Sequence, residues 1–357
     1  MSLESYVWAA PKAELHLHLE GAIRPTTILT LARRNGVQLP SSTVEELRDW
    51  FHFRDFAHFG EVYSAISRCL RTADDYELIA FELAEELARQ NARYAEVGFL
   101  PAFHARMGVS EATYLGGLSR ARERAQRELG VEMAWIFDLG RAWKGGETET
   151  RRWATYAVDV AIDARSEGVV ALGLGGSEVG HPPEQFGALF DRGRAAGLHS
   201  APHAGELVGP ASIRGALDAL GAERIAHGVR AIEDHALLAE LAARQVALDV
   251  CPTSNVCLGV YSSLAQHPLP RLHAAGAVLT ISTDDPALFG TTLNGEVALL
   301  ADPFALGVGA IDDILLNGVR HSFLPARAKQ RLEATYRAEL DVLKAVHLGT
   351  RVEDSAS

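Results

Sequence analysis

The sequence predicts an α/β fold, a closed (β/α)8 barrel of the TIM type with extra helices capping its C-terminal mouth. Three observations carry this. Eight short β-rich runs are spread over the 357 residues. Amphipathic helical stretches separate most of them, the alternation that builds a parallel sheet. Ionisable residues fall at the C-terminal ends of several runs, where barrels of this type carry their chemistry. An open doubly wound sheet is the alternative, and eight units favour closure.

The first run, AELHLH (13–18), opens the stretch AELHLHLEG (13–21). Side chains alternate along a strand. Glu14, His16, His18 and Glu20 are therefore expected on one face, with Ala13, Leu15, Leu17 and Leu19 packing the wall behind. Such a row of ionisable groups is costly unless they have partners or work. Residues 20 to 90 are too many for one βα connection and are read as the added helices over the mouth. Within them, DWFHFRDFAHF (49–59) holds five aromatics. It is read first as helix-packing core and second as a hydrophobic lid.

The stretch 74–91 has apolar residues at three and four spacing and leads into ARYAEVGFL (92–100). VEMAWIFDL (131–139), VVALGLG (169–175) and HSAPHA (199–204) are the next runs, with a helix over 184–197 closed by Gly197. RIAHGV (224–229), a helix over 233–245, VALDVC (246–251) and AVLTIST (277–283) complete the series. No Ser/Gly-rich linker, low-complexity tract or repeat interrupts it. Residues 1–357 are read as one domain with a polar tail, frayed from about 350 to 357.

Composition narrows the function. Basic residues number 34 and acidic residues 46, a net charge of −12, with no basic tract. Nucleic acid and anionic membrane are thereby excluded as expected partners. No apolar run reaches the length of a membrane span, and the N-terminus lacks the pattern of a secretion signal. The cysteines, Cys69, Cys251 and Cys257, form no CxxC pair. Free thiols fit a reducing compartment, so a cytoplasmic protein is expected.

His16 and His18 end the first run, and His203, in PHAGE, ends the fifth. His227, in AHG, ends the sixth; Asp284 and Asp285, in STDDP, end the eighth. Glu206 follows His203 by three. Each alone has a plain structural reading: a single histidine on an apolar strand is usually a hydrogen-bonded core residue, and DDP reads as a turn. Their convergence on one barrel rim is what points to a metal site. His16, His18, His203 and Asp284 form a mixed imidazole and carboxylate set that suits zinc with an open position. Zinc lowers the pKa of its water towards ~7, which supplies a nucleophile. Glu206 is then placed to carry a proton, and His227 to orient or deprotonate the attacking water.

Taken together, ELHLHLEG, HAGE, RIAHG, CPTSN and STDDPALFG resemble the adenosine deaminase-like branch of the amidohydrolase superfamily. They appear in the family's order, and the resemblance runs from about residue 11 to about 330. It implies a (β/α)8 barrel, one catalytic zinc per chain, and removal of the 6-amino group from a small 6-aminopurine substrate. It implies His16, His18, His203 and Asp284 as ligands, and Glu206 as the donor of a proton to purine N1. His227 and Asp284 would position the attacking oxygen. Asp285 would face N7, an acceptor, and so would need a raised pKa. Gly176, in GLGGSE, would offer its backbone to the N3 edge. His18 and Glu20 are expected against the substrate.

Two departures bear on specificity. Glu20 stands where nucleoside-specific members often carry an aspartate facing the ribose. SEVGHPP (177–183) resembles the stretch found in adenine deaminases and aminodeoxyfutalosine deaminases; its Glu178 is expected to hold the loop. The resemblance implies a nucleoside with a bulky 5′ substituent, aminodeoxyfutalosine first, with adenosine and then adenine as alternatives. The 49–59 aromatics would roof the extension, and Arg54 or Arg24 would pair with a carboxylate on it.

Other readings fit less well. Two-metal relatives commonly need a lysine on the fourth strand, and VVALGLGG has none. HLE (18–20) matches H-x-E of cytidine deaminases, but P-C-x-x-C is missing. GGSEV lacks the last glycine of G-x-S-x-G, and GLGGSE lacks the third glycine of a dinucleotide loop. A non-catalytic binder on the same fold would not need the full set of ligands and proton carrier, all of which are present. A homodimer is left open.

Overall fold

All eight runs become parallel strands in the computed structural model, which describes residues 2–349. The tail expected to fray lies outside the described residues. The first four strands are β1 (Lys12–His18), β2 (Ala92–Phe99), β3 (Glu132–Gly140) and β4 (Val169–Gly175). The fifth run divides into β5 (His199–Ser200) and β6 (His203–Ala204). Pro202 lies in the gap and has no N–H to give a ladder. Around it the pairing continues: Ala201 N donates to Leu172 O (2.9 Å), and Ala226 N donates to Pro202 O (3.0 Å). Then come β7 (Arg224–His227), β8 (Ala247–Val250) and β9 (Val278–Ile281).

Closure occurs between the first strand and the last. His18 N donates to Asp284 O (2.8 Å) and Asp284 N donates to His16 O (3.1 Å), a parallel bridge centred on Leu17. The seam of the barrel therefore runs through three of the residues expected to hold metal.

β1 departs from strict alternation. Glu14 aligns with Ala95 but Leu17 with Val97, so β1 carries one extra residue, a bulge. The strand also ends at His18, and Glu20 opens a 3-10 turn, Glu20–Ala22. The expectation of four ionisable groups on one strand face is corrected accordingly. Glu14 turns to the last strand, where Thr283 donates to its Oε1 from N (2.9 Å) and Oγ1 (2.6 Å). His16 and His18 stay together.

Helices cover the outside. Ala73–Arg89 starts at a capping box of Thr72 and Asp75. Glu111–Leu129 runs from a Ser110 cap to a left-handed Gly130. The stretch expected helical over 184–197 is a 3-10 turn, Pro183–Phe186, followed by the helix Gly187–Ala195. Leu15, Leu17, Val97, Leu172, Ile225, Leu248 and Leu279 join one continuous buried core with the helices. Among the described residues, no helix is long and apolar enough to cross a membrane.

The insertion between β1 and the helix Ala73–Arg89 contributes three helices, Pro25–Arg34, Val44–Trp50 and Phe56–Ser67. Phe53 and Phe59 pack on Phe289 at 5.8 and 5.6 Å between ring centres. Phe289 lies four residues past Asp285, so these aromatics both pack the added helices and border the mouth.

Towards the other end, the barrel interior is plugged by a fully buried arginine, Arg224. Its Nε meets Asp249 (2.5 Å) and its Nη2 meets Glu96 (2.6 Å) and Leu15 O (3.2 Å); Nη1 donates to His321 O (2.8 Å). Thr280 and Tyr94 hydroxyls donate to Asp249 and Glu96 (2.6 and 2.9 Å). Every polar side-chain atom of Arg224, Glu96 and Asp249 has a partner.

Candidate active site

At the C-terminal mouth, four ligand-type atoms converge. His16 Nε2 and His18 Nε2 lie 3.1 and 3.2 Å from His203 Nε2. Asp284 Oδ1 lies 3.5 Å from His16 Nε2 and 3.2 Å from His18 Nε2. Zinc–ligand bonds of ~2.0–2.1 Å put neighbouring donors roughly 3–3.5 Å apart, so the donor set fits such an ion. Electrostatics agree. Burial and the neighbouring His16 and His18 hold the His203 ring well below its ordinary pKa. Burial disfavours charge on His18, yet the carboxylates of Asp138 and Asp284 outweigh it and hold its pKa well above the usual range. His16, His18, His203 and Asp284 could together hold a metal ion.

Asp284 and His227 share an unusual backbone, with φ of +65° and +64°, the left-handed region that residues with a side chain rarely adopt. Such conformations persist where surrounding structure enforces them, often at functional sites. Ser254 Oγ donates to Asp284 Oδ2 (2.6 Å). His227 Nε2 lies 3.6 Å from Glu206 Oε1 and 3.8 Å from Asp284 Oδ2, and burial pulls its pKa down to about 3, so the ring is neutral.

Glu206 is buried, and its Oε1 has no protein partner. Burial, then Asp284 and Glu178, push its carboxyl well above the usual range. Its backbone is pinned by Glu178, whose two oxygens accept from the N–H groups of Gly205, Glu206, Leu207 and Val208 and from Ser212 Oγ at 2.6–3.0 Å. Glu178 is thus a loop-holding carboxylate, as expected. Asp285 is also buried, with Oδ1 unpartnered, and burial followed by Asp284 raises its pKa strongly. Gly21 packs directly on it: a Cβ there would fall 1.7 Å from Asp285 Oδ1.

Gly176 follows β4 with φ +89°, a conformation that calls for glycine, and its carbonyl accepts from Arg141 Nη1 (3.3 Å). Glu20 stands apart from the metal cluster and is fully buried. Oε1 meets His104 Nε2 (2.8 Å) and Oε2 accepts from Tyr63 hydroxyl (3.0 Å), so the carboxylate is already engaged on both oxygens.

Sequence reasoning missed several contributors. Asp138, at the end of β3, lies 3.5 Å from His18 Nδ1, the nitrogen pointing away from the cluster. A carboxylate in that place fixes the ring's orientation and tautomer. Arg141, fully buried, ties β3 to Leu174 O (3.0 Å) and to His203 O (2.6 Å). Asn255 and His267 stand behind His227. Asp138 met the same criterion as the other residues, an ionisable group ending a predicted strand; Asn255 closes the CPTSN motif (251–255), and Arg141 and His267 offered no local signal.

Comparison with known proteins gives the family. The adenosine deaminase family model matches residues 11–337. The chain belongs to the adenosine deaminase family. That membership makes it an aminohydrolase of the amidohydrolase type. An aminodeoxyfutalosine deaminase of Streptomyces coelicolor is 42% identical over 331 residues, covering 92% of this chain and 84% of that one. Among solved structures, an adenine deaminase from Arthrobacter aurescens superposes with a TM-score of 0.87 at 34% identity, covering 93% of this chain and 99% of that one. An amidohydrolase from Burkholderia ambifaria with bound zinc gives 0.88 at 26% identity, covering 97% and 95%.

Proposed function

We propose that the protein is a zinc-dependent hydrolytic deaminase that exchanges the 6-amino group of an adenine-type nucleoside for oxygen, releasing ammonia, and that its substrate is aminodeoxyfutalosine, an intermediate of menaquinone synthesis. The observation that carries the deaminase reading is the pair Glu206 and Asp285. Both are buried beside the metal cluster, both have an oxygen without a protein partner, and both have pKa values pushed upward.

In this reading His16, His18, His203 and Asp284 hold one zinc per chain. The ion, when bound, supplies Lewis acidity and lowers the pKa of water. Glu206, kept protonated by its surroundings, gives its proton to purine N1 and makes C6 electrophilic. The Glu178 clamp keeps the Glu206 backbone in place for this transfer. Asp285, also protonated, donates to N7. Gly176 lines the N3 edge, and His227 orients the oxygen that attacks C6. His18 lies against the substrate on its metal-facing side. Phe53, Phe59 and Phe289 limit access of bulk water.

The finer choice of substrate draws support from the Streptomyces relative and from the mouth. Arg24 is engaged by Glu82 O (3.1 Å) and Glu85 (3.4 Å). The Arg54 guanidinium has no ion-pair partner among the described residues, and it is therefore the one assigned to a substrate carboxylate. Burying an aromatic extension against the neighbouring rings would add binding at ~25 cal/mol/Å². Adenine is the second reading. It is favoured by the engagement of Glu20 with His104 and Tyr63, which leaves no free carboxylate for a ribose. Ammonia release, compared as kcat/KM over aminodeoxyfutalosine, adenosine, methylthioadenosine and adenine, tests both. A preference for adenine or adenosine overturns the 5′-extension reading and leaves the chemistry standing.

A further inference from the structure

Behind His227 runs a buried line of polar groups that the reaction does not touch. It starts from a donor of fixed identity. The backbone N–H of Leu269 donates to His267 Nδ1 (3.2 Å). That nitrogen therefore carries no proton. Burial pulls the His267 pKa down to about 4, so the ring is neutral and its single proton sits on Nε2. His267 Nε2 then donates to Asn255 Oδ1 (3.1 Å). With the oxygen turned that way, the Asn255 amide nitrogen faces His227 Nδ1 at 3.3 Å and donates to it.

The opposite arrangement fails at its first step. Turning the Asn255 amide over would aim its N–H groups at the His267 Nε2–H. Moving the His267 proton to Nδ1 to relieve this would set it against the Leu269 N–H. Only one sequence of donors and acceptors satisfies all three contacts, and buried polar groups are nearly always satisfied.

We propose that Asn255 and His267 are positioning residues that lock His227 as its Nε2–H tautomer, so that it faces the reacting atoms as a hydrogen-bond donor and not as a base. Its Nδ1 is occupied as an acceptor. Its Nε2–H points to the space between Glu206 Oε1 (3.6 Å) and Asp284 Oδ2 (3.8 Å). Accepting a proton from the attacking water would require Nε2 to give up its own proton to Nδ1, against the Asn255 N–H. The inference decides between the two roles open to His227, orienting or deprotonating, in favour of orienting. It rests on the deaminase reading only where activity is measured.

The test is a 15N spectrum of the zinc-loaded protein labelled at histidine, with the His227 signals assigned by their loss in His227→Gln. A protonated, pyrrole-type Nε2 and an unprotonated, pyridine-type Nδ1 are expected. The reverse pattern overturns the proposal. Asn255→Asp supplies the second arm, because an isosteric carboxylate accepts from both rings and so draws the His227 proton to Nδ1. The expected result is a swapped 15N pattern and a kcat lower by ~10²–10⁴-fold, the scale of a lost or mis-tautomerised acid–base partner, with KM changed far less. A swapped pattern with wild-type kcat overturns the donor role. Should Asn255→Asp not fold, the wild-type spectrum still decides. An Nε2–H spectrum from a protein that deaminates none of the four substrates would defeat the functional reading and leave the tautomer assignment intact.

Discussion

The barrel holds two buried clusters of charge, one at the floor and one at the mouth, and they are built on opposite rules. At the floor, Arg224, Glu96 and Asp249 satisfy one another and are topped up by Thr280, Tyr94 and backbone carbonyls. At the mouth, polar atoms of Asp138, His203, Glu206 and Asp285 are buried without a protein partner. Unpaired burial costs ~1–3 kcal/mol per neutral group, and in the proposed reaction the free oxygens of Glu206 and Asp285 find their partners on the substrate. Mutually satisfied charge holds the floor, and unsatisfied polar atoms gather at the mouth.

Substitutions at the two ends should therefore fail differently. The largest effect is expected of Asp284→Asn at the mouth: metal analysis should find zinc poorly retained, and turnover should be all but lost. Two metals per chain in fully active wild type would contradict the single site. Next, Glu206→Gln should keep the zinc and lower kcat by ~10²–10⁴-fold, while the thermal midpoint stays level or rises, because an unpaired buried acid has been replaced. Near-normal turnover would remove Glu206 as the proton carrier.

At the floor, Arg224→Met should show the converse. It strands two buried carboxylates and should cost ~3–5 kcal/mol of stability in urea unfolding, while the molecules that remain folded keep their kcat. A large fall in kcat with unchanged stability would erase the distinction between the ends. Asp138→Asn probes the mouth more gently: zinc affinity, measured by chelator competition, should weaken ~10–100-fold with the fold intact. The most gradual effect, spread over the pH range between its two pKa values, concerns Lys12, at the floor end of β1. Its Nζ donates to Ala10 O (2.7 Å) and Gln90 O (3.3 Å), and burial lowers its pKa from 10.5 to about 7. Between those values the unfolded chain binds the extra proton, so stability should rise with pH across the window and be lost as pH falls through about 7. The slope is at most ~1.4 kcal/mol per pH unit, and Lys12→Met should flatten it.

How much of this was legible depends on whether the signal was local. The eight strands were, because each is an apolar run bounded by helical pattern. So were His16, His18, His203, His227, Asp284 and Asp285, since each ends such a run. The break in the fifth strand was written in Pro202 but reads as a strand until the pairing on both sides is seen. The bulge in β1 depends on the register of β2, which no stretch of β1 encodes. Glu20 looked like a fourth member of the strand face because the end of β1 at His18 has no breaker to announce it. Tyr63, which engages Glu20, and His267, which reaches His227 through Asn255, lie far from any predicted strand end, and His104 follows one by four residues on the short helix Pro101–Arg106. Their roles are fixed by packing between distant segments, so periodicity carries no trace of them.

The seam adds a matter of timing. Its backbone bonds join His16 and His18 to Asp284, so barrel closure and assembly of the ligand cluster are one event. In a chain growing from the ribosome, the two histidines emerge more than 260 residues ahead of the aspartate. That is a delay on the order of tens of seconds at ~5–20 residues per second. A nascent chain therefore carries an incomplete ligand cluster for most of its synthesis, and the four candidate ligands can meet only after the last strand has docked.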